Sequence, residues 1–140
     1  MSYLKLTFEN CSGCLGCELA CSLQHYGYID LFKSRIMIIA DEEMSDIEIH
    51  QCIQCEERSC VSACPAGALS INDEFGYIMH NESICIQCQK CFKSCKYHGV
   101  FWDEERNYPL TCNLCGGDPQ CVKVCKLHKA VQINEKEAVR

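Results

Sequence analysis

Residues 85–95 read Cys85-Ile86-Gln87-Cys88-Gln89-Lys90-Cys91-Phe92-Lys93-Ser94-Cys95. Three cysteines recur at intervals of three, and a fourth follows four residues later. Thiolates at i, i+3 and i+6 of a tight loop can wrap three corners of an iron–sulfur cubane. The fourth, on the turn beyond, points away toward a second one. The chain holds this device, or a close variant, four times: Cys11/Cys14/Cys17/Cys21, Cys52/Cys55/Cys60/Cys64, Cys85/Cys88/Cys91/Cys95 and Cys112/Cys115/Cys121/Cys125. The first and third quartets have the plain spacing. The second widens between Cys55 and Cys60 and the fourth between Cys115 and Cys121, and all four end in x3-C. This is an internal repeat of one supersecondary unit.

Sixteen cysteines in 140 residues exceed the roughly 8–10% that marks a cysteine-built scaffold, which is either disulfide-bonded or metal-bound. Residues 1–9 carry no basic segment, apolar stretch or cleavage site of a secretory signal. No apolar run approaches the roughly 20 residues that span a bilayer. The expectation is a soluble cytoplasmic protein whose thiols are metal ligands. Structural zinc sites favour C-x2–4-C pairs separated by a longer loop, whereas these cysteines crowd single loops. No C-x2-C is followed directly by His and no C-x3-C-x2-C occurs, so haem attachment and the radical-SAM pattern are absent. Sixteen cysteines make four complete sets of four with none spare. Every iron can then be capped by protein, so electron transfer is expected rather than bond chemistry, and no catalytic residue is expected. The formal charge of −6 becomes roughly −14 if four oxidised clusters each contribute about −2 with their ligands. That charge argues against nucleic acid, whose phosphates must be neutralised.

Short apolar segments flank the quartets. Tyr3 to Phe8, Arg35 to Ala40, Tyr77 to Met79, Gly99 to Trp102 and Ala130 to Ile133 read as strands, and Pro65 to Ile71 reads as a turn running into one. Ile47 and Ile49 lead into the second quartet. Asp41 to Asp46 reads as a solvated acidic turn, Asn72 to Gly76 as a hairpin turn, and Leu23 to Lys33 as a loop. Any helices are expected to be short and to begin at the last cysteine of each quartet. One compact unit of 140 residues would have a radius of gyration of roughly 14 Å and a width of about 40 Å.

With four quartets in this order, including the two widened ones, the chain resembles the four-cluster polyferredoxin subunits of anaerobic redox enzymes. These include the iron–sulfur subunits of the dimethyl sulfoxide reductase family, formate dehydrogenases, hydrogenases and carbon monoxide dehydrogenase. Residues 11–25 and 112–125 look most like the small ferredoxin subunits of tungsten aldehyde oxidoreductases, with carbon monoxide dehydrogenase partners close behind. The resemblance implies an α+β fold of two bacterial-ferredoxin-like two-cluster modules, one inserted into the other. Residues 47–102 would form the inner module, and residues 1–40 plus 108–135 the outer, split one, within a single unit of 1–140. It also implies that the fourth cysteine of one motif ligates the cluster of the other. The inner sets would be Cys52, Cys55, Cys60 and Cys95, then Cys85, Cys88, Cys91 and Cys64. The outer sets would be Cys11, Cys14, Cys17 and Cys125, then Cys112, Cys115, Cys121 and Cys21.

The implied function is one-electron relay through four 4Fe–4S clusters. Its ends would be a catalytic subunit (a tungsten or molybdenum pterin enzyme, or carbon monoxide dehydrogenase) and a second partner such as a ferredoxin, a flavin subunit or a hydrogenase. The alternative is an iron–sulfur maturation or redox-sensing protein without catalytic flux. Family quartets often end in Cys-Pro, but only Cys64-Pro65 keeps it; Ser22, Lys96 and Lys126 follow the other last cysteines. Lys90, Lys93, Lys96, Lys123, Lys126 and Lys129 gather near the third and fourth quartets. They serve either as counter-charge to the clusters or as a docking face for an acidic partner. His25, His50, His80, His98 and His128 are expected in surface or packing roles because no ligand is missing. Trp102 and the tyrosines are expected as insulation, and Glu42-Glu43 and Asp103-Glu104-Glu105 as solvated turns.

Overall fold

The computed structural model describes residues 2–135; Met1 and residues 136–140 of the expected 1–140 unit lie outside the described residues. Among the described residues the architecture is mixed: four α-helices and eight strands, the strands paired only in twos. The helices are α1 (Gly16–Tyr26), α2 (Ser59–Ala63), α3 (Lys90–Ser94) and α4 (Gln120–Val124). The strands are β1 (Ser2–Leu6), β2 (Ile36–Ala40), β3 (Ile47–Gln51), β4 (Leu69–Ile71), β5 (Ile78–His80), β6 (Phe101–Asp103), β7 (Tyr108–Leu110) and β8 (Val131–Glu135). All four pairs are antiparallel: β1 with β8, β2 with β3, β4 with β5 and β6 with β7.

Three of the pairs are hairpins whose turns are built alike, by a short carboxylate or amide accepting from backbone N–H groups just beyond it. Asp41 Oδ1 accepts from Ser45 (2.7 Å) and Asp46 (3.1 Å). Asn72 Oδ1 accepts from Glu74 (3.1 Å) and Phe75 (2.8 Å). Asp103 Oδ1 accepts from Glu105 (3.1 Å) and Arg106 (3.2 Å). The expected turns at 41–46 and 72–76 are therefore present. Asp103, expected in a solvated turn, is instead only 3% exposed, because its side chain is drawn inward to hold the β6–β7 turn.

The fourth pair joins the two distant ends, with Leu4 opposite Ile133 and Leu6 opposite Val131. Leu4 and Val131 are buried with Ile36, Ile49, Leu114, Ala130 and Cys17, Cys21, Cys112 and Cys121 in one core. A second core consists of Leu69, Ile78, Val100, Cys60 and Cys91, and Cys52 packs against both. Sulfur thus fills much of the space that aliphatic side chains fill elsewhere.

The helices differ from expectation in place and length. Each begins one residue before the third cysteine of its quartet, not at the last cysteine. The third cysteine is thereby carried in the first turn of the helix. α1 runs for 11 residues, taking in the first part of the segment expected as a loop. It ends at Gly27 (φ 74°), whose N–H caps the carbonyl of Leu23 at 2.9 Å. β7 was not foreseen, because Pro109 at its centre reads as a strand breaker.

Candidate metal centres

Each cysteine loop is shaped by residues in left-handed conformation. Two positions after the first cysteine of every quartet stand Gly13 (φ 72°), Gln54 (58°), Gln87 (59°) and Leu114 (52°). The backbone N–H of these residues is turned onto the sulfur just passed. Gly13, Gln87 and Leu114 donate to Cys11, Cys85 and Cys112 Sγ, each at 3.4 Å, and Gln54 donates to Cys52. Before three of the helices the chain reverses again, at Leu15 (62°), Arg58 (49°) and Gln89 (65°). Before α4 stands Pro119, whose ring holds φ at −66°. There the reversal is made earlier, by Cys115 (50°), Gly116 (73°) and Gly117 (107°). A left-handed non-glycine residue costs about 1–2 kcal/mol. Such cost persists where the surroundings over-determine the shape, as they do at ligand clamps.

Three of the four cysteine sets implied by the resemblance each line one cavity. Cys52, Cys55, Cys60 and Cys95 border a space of about 440 Å³, its mouth included. Cys64, Cys85, Cys88 and Cys91 border one of about 300 Å³, and Cys11, Cys14, Cys17 and Cys125 one of about 360 Å³. The remaining four are electrostatic neighbours: burial, followed by Cys121, Cys21 and Cys115, pushes the Cys112 thiol up to about 12. In the same way burial, and then Cys21 and Cys115 among others, raises Cys121 to about 12. Burial is also the main cause that lifts Cys17 to about 12 and Cys91 to about 11, and that raises Cys21, Cys52 and Cys60. Such thiols become ligands only where a cation takes the proton's place, so metal binding releases protons. Cys64 moves the other way. Burial acts upward on it too, but the N–H groups of Ala68, Ala66, Leu69 and Gly67 outweigh burial and hold the thiol below its ordinary value.

The donor set fits iron–sulfur clusters. All sixteen cysteines are free of disulfides. Further N–H groups reach the last cysteines: Arg35 to Cys21 (3.2 Å), Ala68 to Cys64 (3.2 Å) and Gly99 to Cys95 (3.3 Å). Gln51 Nε2 reaches Cys121 Sγ at 3.5 Å. Among the described residues no three His, Cys, Asp or Glu side chains gather closely enough to hold a single metal ion. Of the sixteen, Cys14 and Cys88 are the exposed ones.

Several neighbours of these sites carry no signal in the spacing. Gln54, fully buried, donates to the carbonyl of Cys112 at 2.9 Å and accepts from Arg58 at 2.7 Å. Glu18, 5% exposed, is raised by burial and accepts the N–H of Ile38 at 2.9 Å, tying α1 to β2. His80 and His128 border cavities, while His50 and His98 stack at 4.8 Å. Of the six lysines, Lys96 pairs with Glu57 and Lys123 with Asp118, all at exposed positions. Trp102 Nε1 donates to Asn107 at 3.0 Å and its side chain borders the cavity of Cys64 and Cys85.

Residues 51–99 match the model of a 4Fe–4S dicluster domain and residues 8–27 that of a 4Fe–4S binding domain. The polyferredoxin-like subunit of an aliphatic sulfonate oxidoreductase from Pyrococcus furiosus is 38% identical over 124 residues, 88% of this chain and 70% of that one. The beta subunit of NADH-dependent phenylglyoxylate dehydrogenase from Aromatoleum evansii is 35% identical over 89% of this chain, which spans 29% of that larger protein. A subunit of anaerobic dimethyl sulfoxide reductase from Haemophilus influenzae is 30% identical over 85% of this chain and 67% of its own length. One polypeptide in the active site complex of benzoyl coenzyme A reductase with 1,5-dienoyl-CoA shares the fold, with a TM-score of 0.59, 25% identity, and coverage of 100% of this chain and 79% of that one.

A protein with these loops and relatives carries multiple 4Fe–4S clusters and moves electrons. The chain belongs to the 4Fe–4S electron-transfer subunits of the dimethyl sulfoxide reductase family, which work beside a catalytic oxidoreductase subunit. Among the described residues, no helix is long and apolar enough to cross a membrane.

Proposed function

We propose that the chain holds four 4Fe–4S clusters on sixteen cysteines and relays single electrons between a catalytic subunit and a second redox partner. When bound, these clusters supply reversible one-electron transfer. The protein would hold them, donate hydrogen bonds to their thiolates and keep water away. The ligand sets are Cys52/Cys55/Cys60/Cys95, Cys64/Cys85/Cys88/Cys91, Cys11/Cys14/Cys17/Cys125 and Cys21/Cys112/Cys115/Cys121. One observation carries the reading: three cavities are each lined by three cysteines of one quartet and the last cysteine of another.

The same crossing supports two modules, residues 47–102 within residues 1–40 plus 108–135. α2 packs on α3 and α1 on α4, and the two cores divide along nearly the same line, with Ile49 of β3 going to the outer one. The sets also fall in a file. Cys60 acts on Cys91, Cys112 on Cys52, and Cys17 on Cys121. This order puts the sets with Cys88 and Cys14, the exposed cysteines, at the two ends. A tungsten or molybdenum pterin enzyme, or carbon monoxide dehydrogenase, is the proposed partner at one end. A ferredoxin, flavin subunit or hydrogenase is proposed at the other, in an anaerobic cytoplasm.

The test is anaerobic iron and sulfide analysis joined to single cysteine variants. About sixteen irons per chain is the expected result. C95A should abolish the same electron paramagnetic resonance signal as C52A, and leave the signal that C85A abolishes. Loss of the C85A signal in C95A would end the crossed assignment, and zinc in place of iron would end the cluster reading.

A further inference from the structure

Arg58 is buried, at 8% exposure, and among the described residues it forms no ion pair with a carboxylate. Its backbone sits in the left-handed region just ahead of α2, with its carbonyl accepting from Val61 and Ser62. Its guanidinium is held by neutral groups alone: Nη1 donates to Gln54 Oε1 at 2.7 Å and Nη2 to the carbonyl of Gly76. A buried guanidinium without a counter-ion is strongly unfavourable, because hydrogen bonds to neutral acceptors do not return the lost hydration of a charge. The side chain lines the cavity of Cys52, Cys55, Cys60 and Cys95. Through Gln54 it also reaches the carbonyl of Cys112, which belongs to the next set in the file. The missing anion is therefore expected inside that cavity.

We infer that Arg58 is the built-in counter-charge of the metal centre bordered by Cys52, Cys55, Cys60 and Cys95, and that it sets the reduction potential of that centre. The inference rests on the cluster assignment above. Accepting one electron makes the centre one unit more negative, and a fixed cation at its wall favours that form. Net charge and local environment are among the main determinants of such potentials. Lys96 also borders this cavity, but it is exposed and paired with Glu57, so solvent and that carboxylate screen it. Arg58 cannot lose its proton in the accessible pH range, so its effect is constant, unlike that of a histidine. Gln54 and Gly76 hold the guanidinium in place and add no charge.

The experiment is a potentiometric titration of the whole iron-loaded protein, followed by electron paramagnetic resonance, for wild type, R58Q and R58K. Iron and sulfide content of the wild type tests the cluster assignment by itself; the shifts between variants test Arg58. In R58Q the signal that C52A abolishes should become at least tenfold harder to reduce, a fall of about 59 mV for a one-electron couple. The other signals should move less. R58K, which keeps the charge but not the fork, should stay within a factor of three of wild type. A fully loaded R58Q with an unchanged titration overturns the inference. Should R58Q lose iron, R58K decides: full loading with a near-wild-type midpoint supports the charge role. Loss of iron in R58K, or a tenfold shift, shows that the shape of the side chain matters rather than its charge, and overturns it.

Discussion

The helices and closing turns of the second and third quartets are near copies of each other, whereas those of the first and fourth are not. α2 and α3 each have five residues, each follows a left-handed residue, and each ends on its last cysteine in extended conformation. Cys64 has φ −76° and ψ 109°, and Cys95 has φ −80° and ψ 106°. Three residues on, Gly67 and His98 turn left-handed (65° and 53°), and the next N–H closes on the cysteine sulfur in both. Yet Cys64 is followed by proline and Cys95 by lysine. Proline forces the residue before it to be extended, but here the same geometry arises without it. The left-handed residue and the N–H···S bond define the turn, so the rarity of Cys-Pro in this chain does not imply a different ligand loop.

In the outer pair this symmetry fails. Cys21 lies inside the long α1 and receives its N–H from Arg35, fourteen residues away. Cys125 ends α4 near φ −87°, ψ 16°. A shared x3-C ending has thus been built into two settings, one local and one dependent on a distant segment.

Removing iron should erase the contrast altogether. Both cores are lined with cysteine, so anaerobic chelation is expected to abolish the folded state, seen as loss of a cooperative transition in circular dichroism. A cooperative apo-protein would show that the aliphatic residues suffice.

A sharper cut falls at Gly99, the counterpart of Ala68 in the second quartet. A Cβ on Gly99 would lie 2.4 Å from the backbone Cα and N of Cys52, and these atoms cannot swing aside. G99A is expected to cost about 3 kcal/mol or more, at the upper end of overpacking effects, and to release iron from the proposed set of Cys52, Cys55, Cys60 and Cys95. The mirror change A68G should cost about 1 kcal/mol at most. Thermal denaturation of the two variants compares the halves of the inner pair directly.

In the outer region acid is the probe. Burial first, and Arg35 second, hold His25 at about 4, below its ordinary 6.5. The unfolded chain therefore takes up a proton in this range and the folded one does not. Stability contributed by the neutral ring is full above pH 6.5 and is lost as pH falls from 6.5 toward 4. Solvent screening of this half-buried ring limits the loss to about 2 kcal/mol. H25Q should flatten the fall in melting temperature between pH 7 and pH 5; an unchanged slope would place the sensitive group elsewhere.

The smallest effect is expected from P65A. If proline only presets a turn that other contacts already define, its removal costs about 0.4–1 kcal/mol through the unfolded chain, and the redox titration stays where it was. A displaced midpoint would restore proline to a role in the site.

The four quartets announce themselves because ligand spacing is a strict local constraint, and the strands around 36–40, 69–71 and 131–133 because apolar residues bounded by turns are legible. Helix placement was less legible. Five-residue helices have no period to detect, and their start is set by a left-handed residue such as Gln89 whose type gives no hint of it. The length of α1 was hidden for a different reason: its buried face carries Glu18 and Ser22, polar residues that a hydrophobic pattern does not count. Arg58 and Gln54 were unreadable, since a charged and an amide side chain between two cysteines look like surface until the fold closes over them.

The pairing of β1 with β8 sets a timetable for synthesis. In the proposed assignment, residues 52–95 carry every cysteine of two sets and are made before the final stretch. The strand at residues 2–6 must wait for the final stretch of translation to bring the opposing strand, and in the proposed sets Cys11, Cys14 and Cys17 wait with it for Cys125. With the first 104 residues clear of the ribosome, a nascent chain would, in the proposed sets, be half finished in a definite way, its middle ready for iron and its beginning still open to oxidation.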